Sequence, residues 1–145
     1  MHNPRVILCE KDGHWAVALR RRLNGASVRV YETRSPEDCL DAVQASPTSF
    51  VAVELTRKSV DRVYRLMAEI HCQFPQARIV AFSQPGLESL DVEIREAGAV
   101  HVVYSPRQLG SVAKLVERHM ALLPMPELSL RESVMSRLPW SGQKP

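Results

Sequence analysis

The chain alternates short β-branched runs with longer stretches in which apolar residues recur every three or four positions. Val6-Ile7-Leu8-Cys9 is continuously apolar, the pattern of a strand covered on both faces. Trp15, Ala18, Leu19, Arg22 and Leu23 then mark one side of a helix over residues 13–24, with Gly25 as its stop. Val28-Arg29-Val30-Tyr31 alternates, as a half-exposed strand at a sheet edge does. Ser35-Pro36-Glu37-Asp38 reads as a helix start: Ser35 as N-cap, Pro36 at the first helical position, acids in the first turn. That helix carries Leu40, Ala42 and Val43 and ends before Pro47.

The same alternation continues to the end of the domain. Phe50-Val51-Ala52-Val53 predicts a third strand, and Val60, Val63, Met67, Ile70 and Phe74 predict a third helix stopped by Pro75. Residues 79–82 make a fourth strand, 87–97 a fourth helix ended by Gly98, and 100–104 a fifth strand. A fifth helix over 106–123 turns Leu109, Val112, Val116 and Met120 inward. Five β–α units imply an α/β, flavodoxin-like doubly wound parallel sheet with helices on both faces. Right-handed crossovers and an alternating second strand favour the order 2-1-3-4-5. In such a sheet the site lies at the carboxyl ends of the strands, beside the switch point between strands one and three.

Composition narrows the class. At 145 residues, 45% hydrophobic and 24% charged, the chain has one domain's length and a sizeable core, which excludes a disordered or fibrous protein. No apolar run approaches a membrane span, and the start, Met1-His2-Asn3-Pro4-Arg5, is no signal peptide, so a cytoplasmic location is expected. Net charge is +3, from 19 Lys+Arg against 16 Asp+Glu, weaker than nucleic-acid binding requires. Arg20-Arg21-Arg22 is expected to be a solvated helix face. Cys9, Cys39 and Cys72 are widely spaced in apolar stretches and read as buried reduced thiols.

The strand ends carry Glu10, Lys11 and Asp12 after strand one, Glu54 after strand three, Ser83 after strand four and Ser105-Pro106 after strand five. With Gly98-Ala99 seven residues before Ser105-Pro106, this set resembles the receiver domains of two-component response regulators, over residues 5–123. The resemblance places Glu10-Lys11 at the acidic pair, Glu54 at the phospho-accepting Asp, Ser83 at the switch Ser/Thr, and Ser105-Pro106 at Lys-Pro. The switch aromatic of strand five corresponds to Val102.

Three of these positions depart from the pattern. Lys11 removes a hard anionic oxygen that Mg²⁺ needs and sets a cation in its place. Glu54 carries one methylene more than Asp, which displaces its carboxylate from in-line geometry. Ser105 cannot supply the cation that holds a phosphoryl group. No phosphoryl transfer, metal or cofactor is expected, and the acidic pocket (Glu10, Lys11, Asp12), acceptor and switch are vestigial. Glu54 and Lys11 are expected to form an internal ion pair, with both pointing to solvent as the alternative. Ser105-Pro106-Arg107-Gln108 reads as a capping box given over to helix stability. Tyr104 is either a surface contact or edge-strand packing.

Other chemistry is thinner. Lys11, Arg57 and Lys58 come from loops on the site face, as do His14, Trp15 and Thr56, and the three cations can bind an anion, but no glycine-rich phosphate loop is present. His14 and His101 lack a His or Cys at i+4, and no Ser–His–Asp or Cys–His arrangement is readable, so no catalytic residue and no metal ligand is expected.

Beyond residue 123 a tail of residues 124–145 is set off by Pro124 and Pro126. Ser129-Leu130-Arg131-Glu132 is a capping box, Leu130, Val134 and Leu138 share a helical face, and Trp140 follows. So short a helix needs support, so it either folds back on its own domain or docks a partner, while residues 142–145 are expected to be disordered. The reading is a degenerate receiver-like interaction module that pairs with a protein partner or a second copy through its fourth helix, fifth strand and fifth helix. A small-ligand or nucleotide sensor, and a still-switchable atypical phospho-receiver, are the alternatives.

Overall fold

The computed structural model describes residues 4–24 and 28–123. The tail residues Leu130, Val134, Leu138 and Trp140, and the stop at Gly25, lie outside the described residues. The elements are β1 (Val6–Cys9), α1 (His14–Arg22), β2 (Val30–Thr33), α2 (Pro36–Ala45), β3 (Phe50–Leu55), α3 (Val60–Gln73), β4 (Arg78–Ser83), α4 (Asp91–Glu96), β5 (Ala99–Val103) and α5 (Leu109–Leu122). Short 3₁₀ turns, Glu88–Leu90 and Pro106–Gln108, lead into α4 and α5. The five strands form one parallel sheet in the order β2-β1-β3-β4-β5, as expected.

Period-two alternation in the strands divides the apolar residues into two cores, one on each face of the sheet. Val6, Leu8, Phe50, Ala52, Val80, Phe82 and Val103 pack under α1 and α5, against Trp15, Leu19, Leu109, Val112 and Val116. Ile7, Cys9, Val51, Val53, Leu55, Ile79 and Ala81 pack under α2, α3 and α4, against Val43, Val63, Met67, Ile70 and Ile94. A register shift between Ile79 and Val80 leaves Val100 out of the β4–β5 pairing. That extra residue puts Ala99 and Val102 into the same core although they are three positions apart.

Several boundaries differ from the sequence pattern. β2 lies two residues later than expected because it must pair with β1, and the observed register sets Val6 against Val30 and Cys9 against Thr33. β3 extends to Leu55 and β4 to Ser83, so Glu54 and Ser83 are strand residues rather than the first residues beyond a strand. Ser35 caps α2 as expected, accepting the Asp38 N–H at 3.1 Å. Ser105 accepts from Arg107 N–H at 3.3 Å, but the Gln108 side chain accepts from Tyr104 N–H at 2.8 Å. The reciprocal box at residues 105–108 is therefore not closed, because its first turn is 3₁₀ and points the glutamine one residue further back. Cys9 and Cys39 are buried, but Cys72 is exposed, since it falls on the outer side of α3. Arg20 is exposed yet engaged: its guanidinium meets Glu32 at 2.7 Å and donates to the Val30 carbonyl, holding β2 against α1. Among the described residues no helix is long and apolar enough to cross a membrane.

Candidate functional site

The carboxyl ends of β1 and β3 bring Glu10, Lys11 and Glu54 together at the mouth of a cavity of about 490 Å³. Glu10 and Glu54 continue the strand period of the α1 face, so both carboxylates sit by the start of α1. α1 has no side-chain cap of its own, because its N-cap position is Gly13 with φ 89°. A Cβ there would lie 3.3 Å from the Arg34 guanidinium, so glycine serves both the left-handed backbone and the close approach. Glu10 takes over the capping. It is 3% exposed, and its two oxygens accept from the Trp15 N–H at 3.0 Å and the Ala16 N–H at 2.7 Å.

Glu54 is half-buried, and its Oε1 accepts the Lys11 backbone N–H at 3.3 Å. The expected Lys11–Glu54 ion pair is absent among the described residues. The amide meets the carboxylate and the exposed Lys11 ammonium does not, since a lysine at a loop tip keeps its hydration. Burial, opposed by that amide and reinforced by the charges of Asp12 and Glu10, raises the Glu54 pKa. Asp12 is exposed and accepts from or pairs with His14 Nδ1 at 2.8 Å, which lowers its pKa.

Glu10, Asp12, His14 and Glu54 can each offer one ligand atom within 4.8 Å of the others. Sequence spacing does not reveal this group, because the neighbours of His14 are carboxylates rather than a His or Cys at i+4. The Mg²⁺ of a working receiver asks for several hard oxygens in near-octahedral array. These residues do not fit it: Glu10 has both oxygens bound to α1 amides, Glu54 faces an amide, and one donor is an imidazole.

The positions that the resemblance assigns to a switch are engaged elsewhere. Ser83 is buried and its hydroxyl donates to the Gln84 carbonyl at 3.0 Å. Val102 is buried in the core beneath α4, and Ser105 caps the turn before α5. Trp15 is not a surface group of the site face: it stacks on Phe82 with centroids 4.6 Å apart. Tyr104 resolves toward packing with a polar anchor. Its O–H donates to Asp91 at 2.8 Å, and Asp91 in turn holds Arg95 at 2.6 Å. The Arg95 guanidinium and then the tyrosine hold Asp91 below the usual carboxylate range, while burial and the Asp91 hydrogen bond push Tyr104 up to about 12. Asp91 and Arg95 gave no signal at sequence level, because an i, i+4 pair on an exposed helix is common.

No protein-family model matches the chain, and no curated protein sequence does. Solved structures do. A response regulator from Thermotoga maritima superposes with a TM-score of 0.67 at 15% identity, over 82% of this chain and 99% of its own. An orphan response regulator of H. pylori gives 0.66 at 18% identity, over 81% and 97%. An atypical orphan response regulator, described as having a phosphorylation-independent regulatory mechanism, gives 0.67 at 18%, over 84% and 99%. The chain thus has the fold of response-regulator receiver domains, in a divergent sequence.

Proposed function

We propose that the chain is a signalling domain of receiver type that works as a phosphorylation-independent protein-interaction module and pairs with a second copy through α4, β5 and α5. One observation carries the loss of phosphorylation: Glu10 is buried with both oxygens on α1 amides, so the first acidic position serves the helix and not a metal. Glu54 in the acceptor's place and Ser105 in the lysine's agree with it. The similar atypical orphan regulator, described as phosphorylation-independent, supports the same reading.

The pairing face rests on exposed apolar groups. Val92 on α4 is 62% exposed, Val100 on β5 45% and Leu122 on α5 69%. Aliphatic side chains on three successive elements favour a self-complementary contact. The domain would then act in the cytoplasm as a dimer whose assembly needs no phosphate.

Intact mass spectrometry after incubation with acetyl phosphate and Mg²⁺ should show no adduct, and a Mg²⁺-dependent adduct on Glu54 would overturn the reading. Sedimentation should show dimers for the native chain and a self-affinity weakened about tenfold or more for Val92→Glu. Identical monomer mass for both at every concentration would remove the pairing face.

A further inference from the structure

The cavity behind Glu54 holds more positive charge than any role in α1 capping explains. Five cations line it (Lys11, Arg34, Arg57, Lys58 and Arg62) against two carboxylates, one of which is the buried Glu10 already bound to amides. Arg34 is occupied by Glu32 at 2.8 Å, and Arg62 reaches Glu37 at 3.4 Å. Lys11, Arg57 and Lys58 make no ion pair among the described residues. They come from two loops, Lys11 beyond β1 and the other two beyond β3.

Arg57 is held in place although its charge is free. Its N–H donates to Gln84 Oε1 at 3.1 Å, and its guanidinium lies over Gly86, where a Cβ would sit 2.9 Å from Nη2. Gly86 has φ 98°, so the loop after β4 is shaped to admit the arginine. Ser59, Arg62 and Val63 bring the start of the 14-residue α3 to the same wall, and that helix has no side-chain cap. Its first-turn amides and dipole favour a negative group there. At about 490 Å³ the cavity falls in the range of small-molecule sites, roughly 300–1,000 Å³.

We infer that this cavity binds a phosphorylated small molecule of mononucleotide or sugar-phosphate size, its phosphate held by Lys11, Arg57 and Lys58 and a hydroxyl or amino group donating to Glu54. The site is separate from the α4–β5–α5 face, so either can fail while the other stands.

Calorimetry on the full chain, run in EDTA and again in Mg²⁺, tests it with three probes: ADP, inorganic pyrophosphate and adenosine. ADP and pyrophosphate should bind and adenosine should not, with ADP the tighter because only it reaches Glu54. Lys11→Gln, or Arg57→Gln with Lys58→Gln, should each weaken ADP by about tenfold or more. Lys114→Gln removes an exposed charge from α5 and should leave ADP binding unchanged. Circular dichroism would confirm that each variant is folded, and Lys11→Gln alone suffices if the double change is not. The inference is overturned by any of three results: no heat with ADP or pyrophosphate up to about 5 mM, an equal loss on Lys114→Gln, or binding that appears only with Mg²⁺.

Discussion

At the carboxyl ends of β1 and β3 the side chains are ionic and open into a cavity, whereas around β4 and β5 they are closed on one another. Lys11, Arg57 and Lys58 are free of ion pairs among the described residues, while Tyr104, Asp91 and Arg95 form a chain of short contacts. In the receivers this sequence resembles, the Ser/Thr after strand four and a strand-five aromatic join the two regions. Here Ser83 donates to its neighbour's carbonyl, and Val102 is a buried aliphatic in the core beneath α4. With Ser83 and Val102 each engaged within its own region, neither joins the two, so each region should respond to change on its own.

The largest test removes the cap of the open side. Glu10→Ala leaves two buried N–H groups without an acceptor and should cost roughly 3 kcal/mol in urea unfolding. Self-association of the protein that remains folded should not change. A loss well under 1 kcal/mol would mean that water replaces the carboxylate and that α1 does not depend on it.

On the closed side, Tyr104→Phe deletes one partly buried hydrogen bond to a charged acceptor, and about 1 kcal/mol should be lost. The loss should appear as faster amide exchange in α4, with ADP binding unaltered. Altered ADP binding would show that the two regions are still coupled.

A smaller effect lies at the opposite end of the sheet. His119 is buried, its Nε2 lies 2.7 Å from the Thr48 carbonyl, and burial holds its imidazole below the usual range. The folded state therefore resists the proton that the unfolded chain accepts below about pH 6.5. Stability should be full above that pH and fall as acid is added through the folded pKa. Thermal melts of His119→Gln should show this slope flattened, and an unchanged slope would assign it to another group.

The smallest effect has the opposite sign. Because burial raises the Glu54 pKa, its contribution to stability is present below the ordinary Glu range and lost as pH rises through the folded value. Glu54→Gln can still accept the Lys11 N–H, so it should slightly raise the melting temperature at neutral pH. The gain should vanish by about pH 4.

The sequence made the covered strands legible, because β1, residues 50–53 of β3 and residues 79–82 of β4 are continuous apolar runs of the kind a two-sided sheet accommodates. The edge was less so. Alternation from Val28 to Tyr31 has the same period two residues later, and only the pairing of Val6 with Val30 selects between the two registers. At the site, the sequence set Glu10, Glu54 and Ser83 near the carboxyl ends of their strands, although Glu54 and Ser83 lie within β3 and β4, and their partners were not legible. A backbone amide has no letter in the sequence, and amides took the contact expected of the Lys11 side chain and both oxygens of Glu10. The grip of Arg57 on Gly86 was hidden for the same reason, since it joins loops that meet only when β3 and β4 pair.

The stacking of Trp15 on Phe82 has a practical outcome. The indole follows directly on the helix start that Glu10 caps, and its ring rests on the sheet at 28° to the phenyl plane. The chain has two tryptophans, Trp15 and Trp140, so Trp140→Phe leaves a single tryptophan to be excited selectively at the red edge of its absorption. Its emission would then act as an optical gauge at the first turn of α1, reading out fraying there in real time without any added label.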